Sequence, residues 1–455
     1  MDASRRTRLL GARILSEAND LKRTSEALAD ELELDRDHVA RVIRGEAGVQ
    51  AALELIARMG EVYPIDATEL MVVEDDCVAG AKIMRAADSR ATSRVFDRRD
   101  RHGGRSPYYE YRDTAMSRLA PFRPEWIREL RVVGDADPKN PDVVFNKGHL
   151  LNQYTLFIGP VNYYWEVDGV GHGREMTTGD SVFGTPWWPH TFTTREASKE
   201  AYILAVTFAG EVRRAQKELY ALGPKARGWL LSVRQPRRAF IELVRHHMAN
   251  DDLTLEELEQ LVSAQAPGLE LRRVFDENIE LSWDEVVGLA SCLGVEAGDL
   301  FVPRYKAEDE VLIKPHAPQQ AVMLPSGSRR LYGIVRMART TKMPFMRGSM
   351  IHVLGRSASL DDGFCTSLYT WLYNYSNVPS RIAWTDGFET KQDVLAPGDS
   401  ACLLPFVRYA FWAEEGEPTL CCIRVAGGVG LAAQRELSGL SDTERVFAET
   451  GRWFE

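Results

Sequence analysis

Gly179–Phe192 reads GDSVFGTPWWPHTF, and Gly398–Phe411 reads GDSACLLPFVRYAF. Both stretches open on Gly-Asp-Ser, and His190 follows Asp180 by ten positions just as Tyr409 follows Asp399. Each lies among short β-type runs: YTLFIG, NYYWEVDG and YILAVTFAG around the first, SLYTWLYNYS and SRIAWTDG around the second. Gly, Pro and Asp punctuate these runs at intervals that suit an antiparallel barrel. Ahead of each β segment the apolar residues instead recur at helical spacing, in TSEALADELELDRDHVARVI and in LTLEELEQLVSAQAPGLELRRVF. The chain therefore repeats itself at about half its length. The expected fold class is α+β, a tandem repeat of a small helical domain and a β-barrel domain. The expected boundaries are helical 1–90, barrel 91–235, helical 236–305, barrel 306–435 and a tail, 436–455.

Composition narrows the function classes. At 455 residues the chain exceeds one ordinary core, so several units are expected. No run of eighteen apolar residues is present to cross a bilayer, and no membrane partner is expected. The N-terminal MDASRRTRLLGARILSEAND interrupts its apolar positions with polar ones and lacks a small-residue cleavage site, which suits a cytoplasmic protein. Six cysteines without CxxC spacing suit reduced thiols. The helical units resemble helix-turn-helix domains of the phage-repressor type, yet residues 1–75 carry 10 Lys and Arg against 16 Asp and Glu, and residues 251–300 carry 2 against 13. Nucleic acid, itself densely negative, is not the expected partner. The units read as scaffold or as lids.

The chemistry concentrates in VFNKGHLLNQYTLFIG, Val144–Gly159, where His149 and Gln153 stand four apart at the start of a strand-like run. An even spacing puts both on one face of a strand, and His190 comes from a later strand. In a cupin barrel such positions converge inside the barrel. Two imidazoles and one oxygen leave positions open on a non-haem Fe(II) ion for substrate and O2. The bland alternative is a metal-free bicupin whose histidines only fill the interior. Tyr409 stands where the second copy would need its histidine, so metal is expected in the first barrel alone.

The duplicated helix-turn-helix and cupin arrangement, with Asn146 just before Gly148-His149, resembles the phosphonate-processing Fe(II) oxygenases. In the epoxidase of that group a glutamate holds the position of Gln153. In the hydroxyethylphosphonate dioxygenases the acid lies six residues before the second histidine, which here is Gly184. This chain has neither acid, which is similar to the methylphosphonate synthases. The resemblance implies metal ligands His149, Gln153 and His190. It implies a phosphonate held by Lys22, Arg101, Tyr111, Asn146 and His190, with Lys22 and Tyr111 catalytic and Arg105 competing with Arg101. It further implies a homo-oligomer that cleaves 2-hydroxyethylphosphonate with O2, giving methylphosphonate and carbon dioxide. The alternative products are hydroxymethylphosphonate and formate, and a cupin-type transcriptional regulator is the rival from another class.

Overall fold

The computed structural model describes residues 3–99, 101–120, 122–303, 306, 310–325 and 329–452; residues 453–455 of the expected tail lie outside the described residues. Four helices open the chain: α1 (Ala3–Asp20), α2 (Ser25–Glu31), α3 (Arg36–Ile43) and α4 (Val49–Val62). Thr24 accepts the Ala27 N–H and Asp35 accepts the His38 N–H, so α2 and α3 start on side chains that satisfy otherwise orphaned amides. Leu10, Ile14, Leu28, Val39, Ile56 and Met59, set at helical spacing, close over one core. Lys22 stands just past α1 with φ 60, and Arg23 N–H reaches back to the Ala18 carbonyl at 2.8 Å. Glycine normally fills such a left-handed position.

The first β segment supplies β1 (Ala81–Met84), β2 (Arg94–Arg99), β3 (Arg105–Asp113), β4 (Phe122–Glu129), β5 (Asn152–Ile158), β6 (Val161–Val167), β7 (Val170–Met176), β8 (Ser181–Gly184), β9 (His190–Thr194) and β10 (Tyr202–Phe208). The second supplies β11 (Val311–Lys314), β12 (Val322–Leu324), β13 (Tyr332–Arg336), β14 (Met346–Val353), β15 (Tyr369–Asn374), β16 (Ser380–Thr385), β17 (Thr390–Leu395), β18 (Ser400–Leu403), β19 (Arg408–Trp412) and β20 (Thr419–Val425). One seven-stranded sheet runs β11-β8-β5-β10-β4-β3-β2, beside a three-stranded β7-β6-β9. The other pair is β1-β18-β15-β20-β14-β13-β12 with β17-β16-β19.

The edge strands are exchanged. β1, from the first half, pairs with β18 of the second, while β11, from the second half, closes the edge beside β8. The repeated Gly-Asp-Ser explains how. Asp180 accepts the His316 N–H at 2.7 Å and Ser181 Oγ accepts the Ala338 N–H at 2.9 Å. Reciprocally, Asp399 accepts the Ala86 N–H at 2.7 Å and Ser400 Oγ accepts the Ala115 N–H at 2.8 Å. Each motif thus clasps the other half of the chain. Phe122, Trp126, Tyr154 and Phe183 bury with Met346, Trp371, Cys402 and Ile423 in one shared core. The two β segments, expected as separate barrels, therefore form one compact unit with the first helical domain, Met1–Ala209 plus Leu312–Glu455. Gly210–Val311 is the other unit. Its helices Leu255–Gln265 and Trp283–Cys292 each start with a reciprocal cap, Thr254 with Glu257 and Ser282 with Glu285. No described helix is long and apolar enough to cross a membrane.

Candidate metal centre and substrate cavity

His149 lies just ahead of β5, Gln153 within it, and His190 at the start of β9. Their side chains converge. The two imidazole rings stand perpendicular with centroids 5.2 Å apart, and His149 Nε2 lies 3.1 Å from Gln153 Oε1. Backbone carbonyls set both tautomers: His149 Nδ1 faces Leu151 O at 2.9 Å and His190 Nδ1 faces Trp188 O at 3.0 Å. A carbonyl only accepts, so each Nδ1 carries the proton and each Nε2 presents a lone pair. Gln153 Nε2 donates to Thr155 Oγ1 at 3.1 Å, which turns the amide oxygen toward His149. Two acceptors, His149 Nε2 and Gln153 Oε1, are thereby held at hydrogen-bond distance with no proton between them. A cation relieves that repulsion, so the donor set fits a metal ion. Desolvation, with smaller contributions from His149 and Arg98, lowers the His190 pKa to about 4, which keeps this ring neutral and ligand-ready.

Asn146 ties the two motifs together. Its Oδ1 accepts the backbone N–H of Gly148 and of His190, both at 2.9 Å, and its Nδ2 lies 3.1 Å from His190 Nε2. Gly148 has φ +71, and a Cβ there would meet the Trp187 carbonyl at 2.3 Å, so only glycine lets these loops close.

The three side chains open on a cavity of about 280 Å³ lined also by Arg98, Tyr109, Tyr111, Arg123, Glu125, Phe192 and Asn146. Burial pushes the Tyr111 hydroxyl up to about 12, so it remains a donor. Arg98 enters from β2, on the same face as Arg94 and Phe96. Phe96 pairs with Tyr109 but Asp97 with Pro107, leaving Tyr108 as the extra residue of β3. Consecutive Tyr108 and Tyr109 consequently both face the Arg98 guanidinium, at 4.8 and 4.9 Å from their ring centroids, and both hydroxyls meet Thr191 Oγ1. Arg98 also donates to Thr191 Oγ1 at 3.1 Å and to the Val144 carbonyl.

The chain is 34% identical to the methylphosphonate synthase of Nitrosopumilus maritimus (strain SCM1), over 98% of its own length and 95% of that relative. The chain belongs to the methylphosphonate synthase family. Among solved structures, the Streptomyces albus hydroxyethylphosphonate dioxygenase, with 2-hydroxyethylphosphonate and Fe(II) bound, is 34% identical and superposes with a TM-score of 0.87, covering 100% of this chain and 98% of that one. A variant 2-hydroxyethylphosphonate dioxygenase, 17% identical with a TM-score of 0.71 over 96% of this chain and 99% of that chain, shares the fold. No family model matches the chain.

Of the residues that the likeness to the methylphosphonate synthase family implies, the structure gathers Tyr111, Asn146, His149, Gln153 and His190 around one cavity. It does not bring Arg101 there. That guanidinium is exposed and forks onto the Asp142 carboxylate, with Nε to Oδ2 at 2.7 Å, and Arg105 donates to the Asp97 carbonyl at 3.1 Å on the surface. Arg98 and Arg123 are the arginines that line the cavity with the ligand set, and only the pairing of the strands reveals them. Lys22 is exposed and lies outside the cavity lining, with no side-chain partner among the described residues.

The second copy is differently equipped. Phe406 N–H bonds the Thr366 carbonyl at 2.8 Å as Trp187 N–H bonds that of His149 at 2.9 Å, so Thr366 and Thr370 correspond to His149 and Gln153. Arg424 pairs across from Thr370, where Thr207 pairs with Gln153, and donates to the Tyr409 hydroxyl at 2.8 Å. A fixed guanidinium lies beside the ligand positions there. Trp187 and Phe406 share a left-handed backbone, φ 79 and 64, which marks that strain as a device of the fold rather than of the metal centre.

Proposed function

We propose that this chain is an Fe(II)-dependent oxygenase that cleaves the carbon–carbon bond of 2-hydroxyethylphosphonate with O2, releasing methylphosphonate, carbon dioxide and water. The observation that carries the reading is the neutral ligand set, His149, Gln153 and His190, with no side chain at Gly184 opposite Gln153. An amide oxygen leaves the metal one more unit of positive charge than a carboxylate does, which an anionic phosphonate balances. We assign the architecture as a pair of cupin barrels, each preceded by a helix-turn-helix-like unit.

His149, Gln153 and His190 would hold the metal. Bound Fe(II) supplies the electron that lets O2 react with a carbon–hydrogen bond. Arg98, the Tyr111 hydroxyl and the Asn146 amide supply donors for the phosphonate oxygens, as charge-assisted or neutral hydrogen bonds. The family likeness further implies a point charge from Lys22, whose ammonium stands exposed outside the cavity lining and would have to reach it when substrate binds. Ile127, Leu151 and Phe192 line the same cavity with apolar surface and exclude water. A space this small would keep the two fragments of the cleaved substrate side by side, so that the one-carbon phosphonate gains its hydrogen before either leaves. The six thiols are free, which suits action in the cytoplasm, and the working assembly is a homo-oligomer.

The test is anaerobic loading with Fe(II) and 2-hydroxyethylphosphonate followed by O2, read by phosphorus-31 NMR. Methylphosphonate as the main product is expected. The likeness to the Streptomyces albus enzyme favours a second reading, in which hydroxymethylphosphonate and formate dominate; no consumption of the phosphonate would refute both.

A further inference from the structure

The neutral ligand set leaves a proton without a base. A substrate hydroxyl that binds next to a cation becomes more acidic, and a carboxylate close to the metal commonly takes up the proton. Here Gln153 is an amide and Gly184 has no side chain. Among the described residues lining the cavity, Glu125 is the one carboxyl.

Glu125 shares a face of β4 with Arg123 and Ile127, which also line the cavity. Across the sheet Ala205 is its direct partner on β10, and Ala205 in turn pairs with Thr155 on β5, the residue that orients the Gln153 amide. The methyl group of Ala205 lies between Glu125 and Thr155, where a larger side chain would fill the space. Among the described residues the Glu125 carboxyl has no hydrogen-bond partner. The charged and titratable groups around it are Arg94 on β2, Asp113 and Tyr111 on β3, and Arg123 on its own strand; farther along its face lies Glu129, and His149, His190 and Arg98 border the same cavity. Burial raises the Glu125 pKa, Asp113 raises it further, and Arg94 and Arg123 oppose the rise. A phosphonate dianion entering beside Arg123 would offset its charge and make Glu125 more basic still.

We propose that Glu125 is the proton acceptor for the hydroxyl of the bound phosphonate, an assignment that rests on the functional reading above. The O–H bond breaks, the proton passes to the Glu125 carboxylate directly or through one water, the electron pair stays on the substrate oxygen, and no redox change accompanies the step. The proton returns to solvent after product leaves. Glu125 thus does the work that a carboxylate close to the metal would otherwise do.

The test is a proton count. Protein loaded with Fe(II) without oxygen is titrated with 2-hydroxyethylphosphonate by calorimetry in buffers of different ionisation enthalpy. Glu125→Gln should release about one more proton per phosphonate bound than the natural protein. In turnover, the fall in kcat/KM on the acid side, where Glu125 is already protonated, should disappear in Glu125→Gln and return in Glu125→Asp. An unchanged proton count and acid limb would overturn the assignment, and so would a Glu125→Gln protein that keeps its metal but no longer binds the phosphonate, which would make Glu125 a binding residue. Failure of the natural protein to bind the phosphonate at all would instead remove the functional reading on which it rests.

Discussion

Gly184 stands directly opposite Gln153 in the antiparallel pairing of β5 with β8, and a Cβ built on Gly184 meets nothing within 4 Å. The space for a carboxylate is therefore present and empty of side chain, and its backbone is not left-handed. Gly184→Glu should fold normally and bind Fe(II) about tenfold more tightly, ~1.4 kcal/mol, because an anionic oxygen joins a neutral ligand set. Equilibrium competition with a chelator measures it; an affinity equal to or weaker than that of the natural protein would place the metal elsewhere.

One metal per chain is expected by elemental analysis of protein prepared without oxygen. The second copy offers Thr366, Thr370 and Tyr409 in the ligand positions, with the Arg424 guanidinium alongside. His149→Ala and His190→Ala should each abolish bound metal and turnover while leaving the circular dichroism of the fold intact. Two metals per chain would contradict this account of the second copy.

The two arginine candidates separate cleanly. Arg98→Ala should raise KM by roughly 10- to 100-fold, the equivalent of ~1.5–3 kcal/mol for a charge-assisted hydrogen bond. Arg101→Ala should change it little, since that guanidinium is committed to Asp142 at the surface. Steady-state kinetics of both variants decides, and the reverse ranking would restore Arg101.

Lys22→Gly removes an ammonium and at the same time places glycine at a left-handed position, φ 60. Stability should hold or rise by up to ~1 kcal/mol while phosphonate affinity falls. Thermal melts beside kinetics read both effects. Unchanged kinetics would mean that the first helical domain takes no part in binding.

Acid should act through the half-buried His190. The His190 pKa falls to about 4 in the folded protein through desolvation, so between its ordinary value of 6.5 and 4 the unfolded chain binds the extra proton. Metal-free protein should lose stability as pH falls through that window, and His190→Gln should lose less. Parallel denaturation curves for the two proteins across pH 4–6.5 would refute it.

The sequence by itself determined what local spacing determines: the α and β runs in duplicate, the helical units, and His149, Gln153 and His190 as a candidate set, because periodicity and a repeat register are read without knowledge of the rest of the fold. His149 itself stands in the loop ahead of β5, so tertiary structure rather than strand alternation brings it to Gln153. Tertiary structure alone decided how the halves meet. Gly-Asp-Ser serves in the sequence only to register the two copies, whereas in the fold Asp180 and Ser181 hold His316 and Ala338, and Asp399 and Ser400 hold Ala86 and Ala115, contacts more than a hundred residues apart in the chain. The arginine was decided in the same way: Arg98 lines the cavity because β2 closes the sheet beside β3, and Arg101, just past that strand, pairs instead with Asp142, which no count along the chain can tell. Glu125 depends equally on the fold, since a glutamate in a strand becomes a half-buried, unpartnered acid only when the sheet that surrounds it has closed.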